Sequence, residues 1–355
     1  NPTVPYEKDE VTRVNIDGLS KPTYNKFADM TIGELREYIM DHKTSCEDIL
    51  RATWGWDADV IAAVAKICGS MDLVYAASKM TISATANTTI GLKGTLSYRL
   101  QTNSSTDNPD EIVAGLMEGV SYGSGDLCFG INPVEDNVES TRRIADGIYG
   151  FMEKNEIPTQ CVVLSHITTQ MEAAKQGAPL HLFFQSIAGT QAANDDFGVN
   201  EALLKEAYEE ARECCLGNGP NLQYFETGQG SEVSIGADEG VDEMTLECRT
   251  YGFARAFKPC MLNNVSGFIG PETIYDGEEL LRANIEDHFM GKMSGIPMGM
   301  APCYTNHTSI TQDDQANAVM LVALAGANYF MGVPMNDDVM LSYQDVSFHD
   351  DNTLR

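Results

Sequence analysis

Positive charge is scarce in this chain. Lys and Arg total 23 against 52 Asp and Glu, a formal charge of −29. Such a surface repels a phosphate backbone, and no basic stripe interrupts it, which excludes nucleic acid as a partner. Long apolar runs are also missing. The longest, 319–327, is half of the roughly eighteen residues a membrane-spanning helix needs. The start Asn1-Pro-Thr-Val-Pro lacks the charged-then-apolar pattern of a secretory signal, so none is expected. An initiator Met is absent, and a helix start at His349 stands just before the last residue, Arg355. Both lead us to expect a longer natural protein. No CxxC pair occurs among the nine cysteines, whose spacing is irregular; a disulfide framework and a zinc ribbon are set aside, and a reducing, cytosolic setting is expected. The six histidines are scattered, without metal-ligand spacing. There is no P-loop and no nucleophile elbow.

What is present is globular. Hydrophobic residues make up 43% and charged residues 21% of 355, too apolar for an acidic disordered chain. Residues 1–82 read as a helical extension. Thr31 and Glu34 form a capping-box pattern, and Asp57–Met80 carries apolar residues at helical spacing. From residue 83 onward short apolar runs alternate with amphipathic stretches. Strands are expected at 95–101, 126–132, 160–166, 181–187, 222–227, 260–268, 296–303 and 329–334. Helices are expected at 111–121, 138–155, 169–176, 201–215, 241–257, 278–293 and 315–327. Eight strand units with helices between them predict a closed (β/α)8 TIM barrel over 83–355 with the eighth helix truncated. An open doubly wound sheet is the competing fold. It is disfavoured because Gly228-Gln-Gly230-Ser-Glu-Val lacks the third glycine of the dinucleotide fingerprint and follows the fifth strand.

A barrel displays its chemistry at the C-terminal ends of its strands. Those ends carry Arg99 and Gln101, Asn132, Ser165 and His166, Gln185 and Ser186, Glu226, Asn263 and Asn264, Cys303 and Tyr304, then Met331, Asp337 and Asp338. Arg99 and Gln101 are two apart and share one side of a strand. Glu226 closes an apolar strand, where a carboxylate is costly to bury without a partner. His166 reads as a loop-orienting residue, Asp337 and Asp338 as capping residues of the last loop, and the methionines at 290–300 as core filler. One guanidinium, several amides and a carboxylate suit a small polar ligand held rigidly, with difficult chemistry left to a cofactor. The acidic excess reads as a solvated surface, with attraction of a cationic small molecule as the sharper alternative.

Five segments carry a family resemblance: Ala86-Asn-Thr-Thr-Ile-Gly91, Tyr224-Phe-Glu-Thr-Gly-Gln-Gly230, Gly267-Phe-Ile-Gly-Pro-Glu272, Glu286-Asp-His-Phe-Met-Gly-Lys292 and Cys303-Tyr-Thr-Asn-His307. The chain resembles the large subunit of ethanolamine ammonia-lyase. The resemblance implies a (β/α)8 barrel, adenosylcobalamin shared with a small partner subunit, radical conversion of ethanolamine to acetaldehyde and ammonia, a hetero-oligomer, and a cytoplasmic or microcompartment location. By motif, it implies that Arg99 and Asn132 hold the substrate hydroxyl, Gln101 and Glu226 the amino group, and that Phe268 walls the pocket. It implies an adenosyl site lined by Ser186, Gly228, Val265, Met331 and Leu341, with Asp196 standing where the family has Glu. Ala301 stands where the family has an Asp that binds the substrate ammonium. Losing a charge-assisted bond there is worth roughly 2–5 kcal/mol, so a substituted vicinal amino alcohol is an alternative substrate. A non-catalytic barrel that binds a small amine or a partner protein is the alternative of another class.

Overall fold

The computed structural model describes residues 4–229, 232–267, 274–338 and 342–355. Its centre is an eight-stranded parallel sheet. In chain order the strands are β1 (Ser97–Leu100), β2 (Cys128–Ile131), β3 (Gln160–Val163), β4 (Phe183–Ser186), β5 (Gln223–Thr227), β6 (Met261–Val265), β7 (Met298–Ala301) and β8 (Tyr329–Gly332). Ladders run in the order β3-β2-β1-β8-β7-β6-β5-β4. The chain's first and last barrel strands are therefore paired, Arg99 standing beside Met331, which a sheet of this order achieves by curling on itself. All eight expected strands are present, each trimmed toward its central four or five residues.

The barrel helices are α1 (Pro109–Ser121), α2 (Val138–Lys154), α3 (Ile167–Lys175), α4 (Glu201–Cys214), α5 (Glu243–Arg255), α6 (Gly277–Met293), α7 (Gln312–Leu324) and α8 (Phe348–Leu354). Each begins at a residue whose side chain accepts a backbone N–H of the first turn. These are Asn108, Asn137, His166, Asn200, Asp242, Asp276, Thr311 and Ser347; the cap satisfies donors the helix itself leaves free. The eighth helix is more complete than expected. Ser347 and Asp350 form a capping box that starts it at Phe348, and buried Asp351 accepts a hydrogen bond from Ser124 at 2.9 Å.

In the N-terminal extension, the helical spacing over Asp57–Met80 is carried by two helices, Ala58–Lys66 and Ser70–Ser78. Gly69 is the N-cap of the second helix, and its N–H donates to Asp72. Four further short helices precede these, and the Thr31–Glu34 capping box is formed. Their apolar faces, including Val11, Ile39, Ile61 and Leu73, merge with barrel residues such as Tyr251, Phe253 and Phe289 in one buried cluster. Inside the barrel, Gly299 stands beside Tyr329. A methyl group at Gly299 would sit 1.9 Å from the tyrosine ring, so glycine is what lets the aromatic fill the interior.

The ladder is interrupted only between β3 and β4, and a side chain bridges the gap. The backbone N–H of His181 donates to the Cys161 carbonyl at 3.0 Å, and the Cys161 N–H donates back to His181 Nδ1 at 3.3 Å. An acceptor Nδ1 requires the neutral imidazole. Burial favours that form and lowers the His181 pKa to about 4. The unfolded chain, titrating near the ordinary value of about 6.5, therefore binds a proton that the folded state refuses. Stability is fully present above pH 6.5 and declines as pH falls from there toward 4, by about 3 kcal/mol over that interval. Urea unfolding from pH 7 to pH 4 checks this: the H181Q variant, which cannot titrate, is expected to lose less stability than wild type by that amount.

Candidate active site

Alternation along β5 sets the centre. Phe225 points outward and packs edge-on against Phe257. Tyr224 and Glu226, on the other side of the strand, enter the barrel. Glu226 is 7% exposed and Arg99, from β1, is fully buried. Arg99 Nη1 lies 3.5 Å from Glu226 Oε1, and the guanidinium stands over the Tyr224 ring at 5.5 Å. The Tyr224 hydroxyl donates to Glu226 Oε1, and Asn263 Nδ2 donates to the same oxygen at 3.2 Å. Arg99 also donates to Met331 Sδ, and through Nη2 to the Gly130 carbonyl at 3.2 Å. Burial opposes the charge on Arg99. Tyr224 and Glu226 more than offset it, and the guanidinium is held above its ordinary pKa. Burial likewise keeps the Tyr224 hydroxyl protonated, well above the usual phenol range.

Gln101, buried at the end of the same strand, donates from Nε2 to Asp338 Oδ2 at 2.6 Å, and Asn103 Nδ2 donates to Asp338 Oδ1 at 3.2 Å. Asn132 is half-buried, and its backbone N–H donates to Asn103 Oδ1. Asp338 belongs to a three-stranded antiparallel cap made from Tyr304–Thr305, Asp337–Asp338 and Tyr343–Gln344. These segments follow β7 and β8, so the cap lies at the C-terminal mouth.

The structure thus brings together Arg99, Glu226 and Met331, and joins Gln101 and Asn132 to them through Asn103 and Asp338. Ser186 stands beside Glu226 in the β4–β5 register. Val265, Ala301 and Met331 share a small apolar cluster with Cys303, Val333 and Tyr343. Gly228 is buried at the end of β5, whereas Asp196 is exposed at the end of the short helix Gln191–Asp196. Phe268 and Leu341 lie outside the described residues. His166 holds a loop: its Nδ1 accepts the Thr168 N–H, and Nε2 lies 3.0 Å from the Phe197 carbonyl.

Three residues of the centre escaped the sequence reading. Tyr224 was legible in principle, being two residues before Glu226 on one strand face. Asn263 was visible only as a strand end. Asp338, read as a capping residue of the last loop, is instead buried and bound to two amides from the first barrel segment; nothing local to it announces that. A second acidic pair lies behind β5 and β6. Glu247 accepts from Thr227 and Asn264, and Asp287 from Asn264 and Gln229. Burial raises both, Glu247 to about 7, and repulsion from Glu247 and Glu286 raises Asp287 further.

A closed parallel barrel with a desolvated cation–carboxylate pair at its C-terminal mouth defines a barrel enzyme acting on a small polar molecule. The comparisons narrow this. The family model described as ethanolamine ammonia lyase large subunit matches residues 1–355, and the chain belongs to that family. It is 48% identical over 355 residues to the ethanolamine ammonia-lyase large subunit of Salmonella typhimurium, and 49% identical to that of Escherichia coli. In each case all of this chain and 78% of the relative are covered. A solved 3-dehydroquinate dehydratase from Geobacillus kaustophilus shares 14% identity at a TM-score of 0.47, over 78% of this chain and 96% of that one, too distant to bear on the site.

Gly130 carries the closest constraint on this centre. A methyl group there would lie 2.5 Å from Arg99 Nε. G130A is expected to displace the guanidinium from Glu226 and to lower unfolding stability by about 1–3 kcal/mol. Denaturant unfolding and a crystal structure of the variant check both parts.

Proposed function

We propose that this chain is the catalytic subunit of a lyase that converts ethanolamine to acetaldehyde and ammonia, working with adenosylcobalamin and a small partner subunit in a hetero-oligomer. Family membership over the whole chain carries the reading, and the buried Arg99–Glu226 pair supplies its chemistry. Residues 1–82 serve as a helical platform and 83–355 as the catalytic barrel. A cytoplasmic or microcompartment location goes with the same reading; among the described residues no helix is long and apolar enough to cross a membrane.

Arg99 and Asn132 take the substrate hydroxyl, and Gln101 and Glu226 the amino group, with Phe268 as a wall. The chain's part of the reaction is orientation and exclusion of water. Both charged groups are already desolvated, so their field on a bound substrate is weakly screened. The guanidinium stabilises developing negative charge at oxygen. Glu226, held by Tyr224 and Asn263, offers a fixed acceptor to the ammonium and reorganises little as the amine migrates.

The residues around the mouth fit an adenosyl group. Ser186 offers a hydroxyl, Val265 and Met331 offer apolar surface, Gly228 removes a side chain from the end of β5, and Asp196 is exposed for a ribose hydroxyl. Leu341 completes the set the family resemblance implies. Adenosylcobalamin, when bound, supplies the radical hydrogen abstraction that no side chain here performs.

Glu226→Gln with cofactor and small subunit present tests the reading. Loss of one charge from a buried pair is worth roughly 2–5 kcal/mol, so kcat/KM for ethanolamine is expected to fall by about thirtyfold or more. Deamination at wild-type kcat and KM would remove Glu226 from this role.

A further inference from the structure

The cap holds a carboxyl group that the chemistry above leaves unused. Asp345 directly follows the strand Tyr343–Gln344 and is fully buried. That strand pairs antiparallel with Tyr304–Thr305, Gln344 standing opposite Tyr304. One residue further the same register sets Asp345 opposite Cys303, two residues beyond Ala301. Its backbone is pinned at both polar atoms. Asp345 N–H donates to the Asn336 carbonyl, and Asn336 Nδ2 donates to the Asp345 carbonyl, each at 2.9 Å.

The side chain is only half satisfied. Oδ1 accepts the Val346 N–H at 2.7 Å. Oδ2 is buried with no hydrogen-bond partner among the described residues. A buried acceptor left unmet costs about 1–3 kcal/mol, and such atoms in folded proteins call for an explanation. Among the groups whose charge reaches Asp345 are Asp338, Arg99 and Glu226 of the active centre, together with Asp351. At the mouth, then, three carboxyl groups face one guanidinium. Asp338 is engaged by the amides of Gln101 and Asn103, and Glu226 by Arg99, Tyr224 and Asn263. Asp345 Oδ2 is the carboxyl oxygen of the three that is both fully buried and without a hydrogen-bond partner among the described residues. A ligand that brings positive charge and N–H donors suits this acidic excess. The side chains of Ala301, Val265 and Met331 beside it offer that ligand no competing carboxylate.

We propose that Asp345 is a second ammonium-binding acid of the active site, which together with Glu226 receives the protonated amine of the substrate and selects amino alcohols over neutral diols. The proposal rests on the deamination reading and deepens it. Ala301 contributes no acceptor at the end of β7, and the facing cap segment supplies one instead.

The experiment uses the complete enzyme, with small subunit and adenosylcobalamin. Wild type must first release ammonia and acetaldehyde from ethanolamine; failure there overturns the deamination reading itself. Given turnover, D345N is expected to raise KM for ethanolamine at least tenfold. Its inhibition constant for ethylene glycol, a neutral competitor of the same shape, is expected to change less than twofold. D345S guards against a folding defect peculiar to the amide and is expected to shift the same two quantities in the same way. An unchanged KM in either folded variant, or equal losses for ethanolamine and ethylene glycol in both, overturns the assignment.

Discussion

The arrangement at the barrel mouth depends on keeping a guanidinium charged where no water reaches it. Removing an ion from water costs several kcal/mol even after relaxation. Arg99 recovers this from many directions at once: the Glu226 carboxylate, the face of Tyr224, the Gly130 carbonyl and the Met331 sulfur. Glu226 is in turn tied by Tyr224 and Asn263. These partners come from β1, β2, β5, β6 and β8. The pair is therefore stable only when the barrel is closed, and the closed barrel pre-organises the pair. Site and fold are one constraint seen from two sides.

That coupling explains the glycines and amides around it. A side chain at position 130 would occupy the space of the guanidinium, and one at 299 the space of the Tyr329 ring. Gln101 and Asn103 hold Asp338, and with it the antiparallel cap, over the strand ends. The same low dielectric that makes an unpaired charge expensive makes a well-placed one effective on a small bound cation.

Much of the barrel was legible because parallel strands buried on both faces read as short apolar runs, and their helices as amphipathic stretches. All eight strands and seven of the helices were found this way. Boundaries were less so. Strands such as 260–268 were drawn too long, since the ladder ends at Val265 and the chain turns at Ser266 and Gly267. Asp57–Met80 was read only as a stretch of helical spacing, because the apolar positions run on past the break that Gly69 and Asp72 impose. Arg99, Gln101, Asn132 and Glu226 were visible as polar residues at strand ends, and the motif around Glu226 carried the family. Asp338 and Asp345 were not separable from ordinary loop acids.

The amino-acid sequence by itself determined the alternation of strand and helix, the acidic balance, the family, and which residue types stand at the strand ends. Local periodicity and local motifs carry that information. Only the tertiary structure decided which of those residues meet: that Arg99 and Glu226, 127 positions apart in the chain, form one desolvated pair, and that a carboxyl from the last cap strand lies buried within reach of their charges. Charge pairing and burial depend on distances across the closed barrel. No stretch of contiguous chain contains those distances.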